Sequence, residues 1–365
     1  MKLIELTRFL ESLAPLALQE SYDNSGLIIG DPKQDVNKAL VSLDCTESII
    51  DEAIHNQCDL VITHHPIVFK GMKRFNNASY IERVVTKAIR HNIALYAIHT
   101  NLDNVEGGVN TKIMERLGVE KPIVLAPKKN ILKKLRVFVP FTHSETVKNA
   151  LFAAGAGDIS NYSECSFSGK GVGTFLANEQ ADPTIGTIGL REEVEEAAIE
   201  VLYPSYLERN ILIAMFETHP YEEVAYDIYS LDNTHQNVGS GMIGDLPSAL
   251  NSKDFLAFLK EKMEVRVIRY TQEPNKPIQR VAVCGGAGSF LLQKAIQAGA
   301  DVFISADFKY HEFFDAEDKI MIADIGHFES EQFTQHLLLE VIRKKFPNFA
   351  IQITKESTNP IKYYF

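Results

Sequence analysis

The 365-residue chain has no tryptophan and only four cysteines. Cys45, Cys58, Cys165 and Cys284 stand far apart, so no CxxC pair or comparable cluster marks a thiolate metal site. A chain this long does not need disulfide staples, and a reduced, cytoplasmic setting is the simpler expectation. Long apolar runs are missing too. No stretch approaches the roughly 20 residues of a membrane helix. Charge at Glu5, Arg8 and Glu11 interrupts the first residues before a signal-like core develops. Positive charge is scarce: 37 lysines and arginines face 48 acidic residues, a formal charge of -11. That balance favours solubility and disfavours a general polyanion binder. No basic stripe with interleaved aromatics speaks for nucleic acid. What remains is an ordinary globular composition, 45% apolar, in a chain long enough for two or three domains.

Residues 1–125 alternate between strand-like and helix-like segments. Apolar runs at 27–30, 39–43, 60–63 and 93–98 are separated by helical patterns at about 47–56 and 79–91. This rhythm predicts a mostly parallel sheet covered by helices. From 126 the character changes, with Pro127-Lys128-Lys129-Asn130 as a boundary. The reading there is a strand at 135–139, a helix at 144–154, strands at 162–168 and 171–176 joined by a Gly169-Lys170-Gly171 turn, a helix at 191–203 and a strand at 211–217. That β-α-β-β-α-β order is the ferredoxin-like pattern. A further extended run lies near 223–231. After the polar run 233–237 the α/β rhythm resumes, with strands at 280–284, 301–305 and 320–324. The economical expectation is one split α/β domain, 1–125 plus 238–365, with an α+β domain at 126–237 inserted in it.

The chemistry-bearing residues fall where strands end, the place where open α/β sheets bind ligands. The run Val61-Ile62-Thr63 delivers His64 and His65, adjacent and followed by Pro66. On a continuing strand they would face opposite ways; at a strand end both rings can reach one cavity. Asp103 follows the 93–98 strand through His99-Thr100-Asn101-Leu102. His327 and Glu331 stand one helical turn apart near the other end of the chain. Imidazole nitrogens suit zinc, iron, manganese or cobalt, and a carboxylate supplies charge and can bridge two ions. Taken singly, each residue also fits a plain strand-end histidine or a hydrogen-bonded helix surface.

A resemblance adds to this. The segments Ser21-Tyr22-Asp23-Asn24-Ser25-Gly26-Leu27, Leu43-Asp44, Thr63-His64-His65-Pro66, His99 through Asp103, Gly285-Gly286 with Gly288, Gly299-Ala300-Asp301 and Asp324 through Glu331 appear in order across both halves. Together they resemble the NIF3 family, also called NGG1-interacting-factor-3-like or DUF34, whose members are named GTP cyclohydrolase 1 type 2 homologs. The resemblance implies a NIF3-like fold and a dinuclear centre of two divalent ions per subunit, held by His64, His65, Asp103, His327 and a bridging Glu331. It also implies a toroidal homohexamer and, in longer members, a PII- or CutA-like insertion. Two positions depart from the pattern. Tyr22 stands where tryptophan is common, and Tyr310 replaces one histidine of a Thr-Gly-Asp-Ile-Lys-His-His run, here Ser305 through His311.

Two divalent ions would acidify a shared water and hold an oxyanion, so hydrolysis of a phosphate ester, nucleotide or related small molecule is the leading reaction class. Asp44, His99 and Asp307 are candidates to orient ligands or move a proton. Lys309, His311 and His219 are candidates for substrate contact. His219-Pro220 is read either as a cap on the metal cavity or as a plain turn. Gly285-Gly286-Ala287-Gly288 lacks the lysine of a phosphate loop and reads as a tight strand-to-helix turn. The rival function is a regulatory or scaffold protein, with metals that stabilise the fold and an inserted domain that senses a metabolite or mediates assembly.

Overall fold

The computed structural model describes residues 1–272 and 276–364. Two compact units separate on their internal contacts: 1–126 with 237–365, and 127–236.

The first unit opens with α1 (Leu3–Leu13), whose Leu3, Leu6 and Leu10 recur at helical spacing and are fully buried. There follow β1 (Gly26–Ile29), β2 (Lys38–Ser42), α2 (Glu47–His55), β3 (Leu60–Thr63), α3 (Tyr80–Arg90), β4 (Ala94–Ala97), α4 (Thr100–Asp103), α5 (Val109–Arg116) and β5 (Glu120–Lys128). Side chains start two of these helices. The Thr46 hydroxyl accepts from the Ile49 N–H at the head of α2, and the Ser79 hydroxyl accepts from the Glu82 N–H at the head of α3.

The second unit contains β6 (Leu132–Pro140), α6 (Ser144–Ala153), β7 (Ser166–Leu176), β8 (Arg191–Pro204), α7 (Glu208–Thr218) and β9 (Tyr226–Leu231). Its sheet runs β7-β8-β6-β9 with every neighbour antiparallel. Val147 and Leu151 of α6 and Ile211 and Met215 of α7 cover one face.

The chain then returns to the first unit with β10 (His235–Leu250), α8 (Ser252–Lys262), β11 (Arg269–Tyr270), β12 (Ile278–Ala287), α9 (Leu292–Gln297), β13 (Val302–Ala306), β14 (Met321–Asp324), α10 (His327–Glu331), α11 (Thr334–Lys345) and β15 (Ala350–Ile353).

The split unit holds two sheets where the sequence suggested one. The first runs β1-β4-β3-β2-β15, parallel except for β1, and the second runs β11-β14-β13-β12-β10-β5. One core joins them: Val41 and Ile62 of the first sheet and Val283 and Ile304 of the second belong to the same buried cluster. The intervening residues Leu40, Val61 and Leu95 face outward against α2 and α3. Strands buried on both faces carry apolar residues at every position. That is why 39–43 shows no alternation.

Several expectations for the second unit need correction. The segment 191–203, read as a helix because it is rich in glutamate and alanine, is the strand β8. Its buried residues Ala197, Ile199, Val201 and Tyr203 recur every second position, and that period decides over local propensity. The run 211–217, read as a strand, is the helix α7, burying Ile211 and Met215 four apart. Residues 169–171 are not a turn but the middle of the single strand β7, which replaces the two strands expected at 162–168 and 171–176. A β-carbon at Gly169 or Gly171 would meet no heavy atom within 4 Å, so open space on that face tolerates the glycines. The β-α-β-β-α-β order therefore stands, built from different residues.

Candidate metal centre

Every residue nominated as a metal ligand lies in the first unit, beyond the carboxyl end of a strand. At the end of β3 the Thr63 hydroxyl donates to the His65 carbonyl, 2.8 Å away, and turns the chain. The His64 and His65 rings, freed from strand alternation, lie side by side with centroids 5.0 Å apart. β4 leads to His99 and then to α4, whose last residue is Asp103. β14 leads through Gly326 to α10, whose first and last residues are His327 and Glu331.

Each imidazole is anchored through Nδ1. That atom donates to the Ile98 carbonyl from His64 (2.8 Å), to Asp44 from His65 (2.8 Å), to Asp23 from His99 (2.8 Å) and to Asp307 from His327 (2.6 Å). An occupied Nδ1 fixes the ring and leaves Nε2 to bind, the arrangement metal-ligating histidines adopt. The Nε2 atoms of His64, His65 and His327 converge on Glu331. Its Oε1 is 3.7 Å from His64, while its Oε2 is 3.0 Å from His65 and 3.2 Å from His327. Asp103 Oδ1 approaches His64 Nε2 at 3.6 Å. Among the described residues three overlapping groups have ligand atoms within 4.8 Å of one another: His64, Asp103 and Glu331; His65, His327 and Glu331; His64, His65 and His99. Glu331 belongs to two of them and turns a different oxygen to each.

Three atoms here are buried without a hydrogen-bond partner: His64 Nε2, Asp103 Oδ1 and Glu331 Oε2. Glu331 Oε2 is near two rings, yet neither contact is well directed enough to count as a hydrogen bond. Unpaired buried polar atoms are costly, and a cation would satisfy all three. Nitrogen and carboxylate donors without thiolate fit zinc, iron, manganese or cobalt.

The electrostatics agree. Burial works against ionising Glu331, but the His64, His327 and His65 rings override it and hold its carboxyl well below the usual range. Burial, reinforced by the Glu331 charge, pushes Asp103 up. Burial would lower His65, yet Asp44 and Glu331 raise it to about 10. Partial burial would lower His327 too, yet Glu331 and Asp307 raise this half-exposed ring to about 9. The site favours positive charge, and protons on His65 and His327 occupy the place a divalent ion would take.

Gly286 sits under this cluster at φ +62°, and a β-carbon there would collide with Glu331 Oε1. The segment read as a turn at 285–288 is strand β12 as far as Ala287, and it is Gly286 within that strand end that makes room for the shared carboxylate. Ser330 holds it from the other side by accepting the Gly286 N–H at 2.9 Å.

Asp44 and Asp307 each hold one ring by its Nδ1, His65 and His327 respectively. The second oxygen of Asp44 accepts from Thr358 at 2.6 Å, so the C-terminal segment fixes this orienting carboxylate. Asp44→Asn is expected to weaken the ion site at His65 roughly 10- to 100-fold, and competition with a chromophoric chelator would read this. His99 stands closer than an orienting role requires, because it shares a ligand-distance group with His64 and His65.

Sequence reasoning passed over Asp23. This carboxylate anchors His99, and it also accepts from the Thr100 N–H at 3.0 Å and the Ser25 hydroxyl at 3.1 Å. The Asp23-Asn24-Ser25-Gly26 turn was the available signal.

The nominated substrate contacts are not brought together. A cavity of about 1140 Å³ is lined by His65, His99, Asp103, His327 and Glu331, but by neither Lys309 nor His311. Both are exposed beside a short 3-10 helix at 310–316, where the Lys309 N–H donates to Glu312. His219 lies in the second unit with both nitrogens used: Nε2 donates to the Phe138 carbonyl (2.9 Å) and Nδ1 accepts from the Tyr221 N–H (3.1 Å). Within that unit it reads as the turn residue.

The profile of Duf34/NIF3 (NGG1p interacting factor 3) matches residues 1–360. The chain belongs to the Duf34/NIF3 family. A GTP cyclohydrolase 1 type 2 homolog of Bacillus subtilis (strain 168) is 37% identical over 365 residues, 98% of each chain. A protein of the same name from Halalkalibacterium halodurans is 40% identical, covering 87% of this chain and 86% of its own. The crystal structure of a Bacillus cereus protein related to NIF3 superposes with a TM-score of 0.87 at 37% identity, covering 100% of this chain and 99% of that one. Kinship and clusters together support a metal-binding protein of the Duf34/NIF3 family. Among the described residues no helix is long and apolar enough to cross a membrane.

Proposed function

We propose that the chain is a metal-dependent hydrolase of a nucleotide, phosphate ester or related small molecule. Convergence of the three unpartnered buried atoms, His64 Nε2, Asp103 Oδ1 and Glu331 Oε2, carries this reading. His64, Asp103 and Glu331 Oε1 would hold one divalent ion, and His65, His327 and Glu331 Oε2 a second. Such a pair supplies an acidified water and a positive seat for an oxyanion. Asp44 and Asp307 keep the His65 and His327 rings in binding orientation. His99, held by Asp23, exchanges a proton at Nε2 with the reacting group. The name borne by the relatives makes GTP one of the first nucleotides to try.

Residues 1–125 and 238–365 are read as the two halves of a NIF3-like domain, and 126–237 as a ferredoxin-like insertion akin to PII and CutA. The separation into two compact units and the order of the four-stranded sheet support this. A toroidal homohexamer in the cytoplasm completes the proposal.

The test is turnover of a panel of nucleotides and phosphate esters by zinc-, manganese- and iron-loaded chain against the chelator-stripped chain. Metal-dependent hydrolysis is expected, and His99→Ala should lower it roughly 100-fold or more without changing metal content. A loaded chain inert to the whole panel would instead favour the scaffold reading.

A further inference from the structure

The cavity at the metal-ligand cluster is larger than ions require, since about 1140 Å³ is the room of a whole small-molecule ligand. The carboxylates lining it are Glu20, Asp44, Asp103, Glu331 and Glu82, the last turned to the backbone N–H groups of Asn76 and Ala78. The lysines and arginines lining it are Lys70, Lys73 and Arg74, all on the strap between β3 and α3. The strap is pinned at both ends. Asn24 Nδ2 donates to the Val68 carbonyl at 2.6 Å, and Phe69 meets the His99 ring edge-on at 5.7 Å. At the other end the Glu82 carboxylate accepts from the Asn76 and Ala78 N–H groups at 3.0 and 2.9 Å.

Between the pins, the three cations have no hydrogen-bond or ion-pair partner among the described residues. The next cations along the chain are different: Arg83 pairs with Glu47 and Lys87 with Asp51. Three unmatched cations on one wall of a cavity, in a chain with an excess of acid, leave a seat for an anion. Apolar surface from Ile67, Phe69 and Phe290 also lines the cavity.

We propose that Lys70, Lys73 and Arg74 form a phosphate seat, so that the ligand of this cavity is a phosphorylated small molecule whose reacting group lies apart from that phosphate. The phosphate rests on the strap, the apolar body lies along Phe69 and Phe290, and the reacting group reaches His65, His327 and Glu331. The assignment of the reacting end rests on the proposed hydrolase reading; the phosphate seat does not need it.

Inorganic phosphate, titrated into the chelator-stripped full chain and followed by phosphorus NMR line width, tests the seat without metals. The wild-type chain is expected to bind it. Lys70→Gln/Lys73→Gln/Arg74→Gln should bind it roughly thirtyfold more weakly, about threefold for each exposed charge, and wild-type binding should weaken as salt rises. Should the triple variant fail to fold by circular dichroism, Lys70→Gln and Arg74→Gln singly carry the test at about threefold each. No binding to the wild-type chain, or equal binding to a folded variant, overturns the seat. Metal content of the same two proteins separates the readings. A wild-type chain that takes up no divalent ion defeats the hydrolase reading while leaving the phosphate result intact.

Discussion

Glu331→Gln is expected to empty both ion sites, whereas Asp103→Asn is expected to empty one. The asymmetry follows from which oxygen faces which ring. Glu331 Oε1 looks toward His64 and Asp103, and Oε2 looks toward His65 and His327. Asp103 reaches only the His64 side. Glutamine keeps the volume but removes the charge, and it points an amide N–H at one of the two sites. Removing one member of a buried charged set costs about 3–5 kcal/mol, which at about 1.4 kcal/mol per decade is 100- to 1000-fold or more in affinity. Metal-to-protein ratios by plasma mass spectrometry decide it. The expected order is two ions in the wild-type chain, about one in Asp103→Asn and none in Glu331→Gln. Equal losses in the two variants would mean that Glu331 does not join two sites.

How much of this was legible in the sequence depends on the range over which each signal acts. Strand β3 and the ligands beyond it could be read directly, because a four-residue apolar run ending in two histidines and a proline is a local pattern. Helix α10 was legible for the same reason, since His327 and Glu331 are one turn apart. The anchors were harder. Asp23 meets His99 across 76 positions, and Thr358 meets Asp44 across 314, so no spacing rule could pair them. The edge strand β15 joins β2 from the far end of the chain, beyond the last strand expected from the sequence at 320–324.

The second unit failed differently. For 191–203 and 211–217 the local propensities oppose the fold. Tertiary burial of alternate residues in β8, and of Ile211 with Met215 in α7, settled what propensity could not. The strap cations escaped notice because a lone lysine in a loop is normally solvated. What distinguishes Lys70, Lys73 and Arg74 is the cavity beneath them, which only the fold creates.

The metal-free chain is expected to lose stability as pH rises from about 6.5 toward 10, while metal loading reverses the trend over the lower part of that range. His65 and His327 are raised from 6.5 to about 10 and about 9. Between those limits the folded chain holds protons that the unfolded chain has released, so unfolding stability falls with pH. Their contribution is complete below about 6.5 and is lost as pH passes the folded values. Asp103, pushed up by burial and by Glu331, has the same sign from 3.8 upward. Asp23 and Asp44 have the opposite sign. Burial opposes their ionisation, but hydrogen bonds from His99 and Thr100 to Asp23, and from His65 to Asp44, hold them below 3.8. Their contribution is present above that value and disappears in acid, leaving the neutral range to the histidines. The metal-free melting temperature should therefore peak between about pH 5 and 6.5. A divalent ion binds deprotonated ligands, so loading at about pH 7.5 should release between about two and three protons per chain, one each from His65 and His327 and most of one from Asp103, which is raised to about 8. The apparent metal affinity should then climb about 100-fold or more per pH unit in that region. Melting curves of chelator-treated and zinc-loaded chain across this range, with titration calorimetry in buffers of different ionisation enthalpy, measure both effects. A metal-free melting temperature that rises from pH 6.5 to 9, or loading without proton release, would show that Asp44, Asp307 and Glu331 do not hold protons on these two rings.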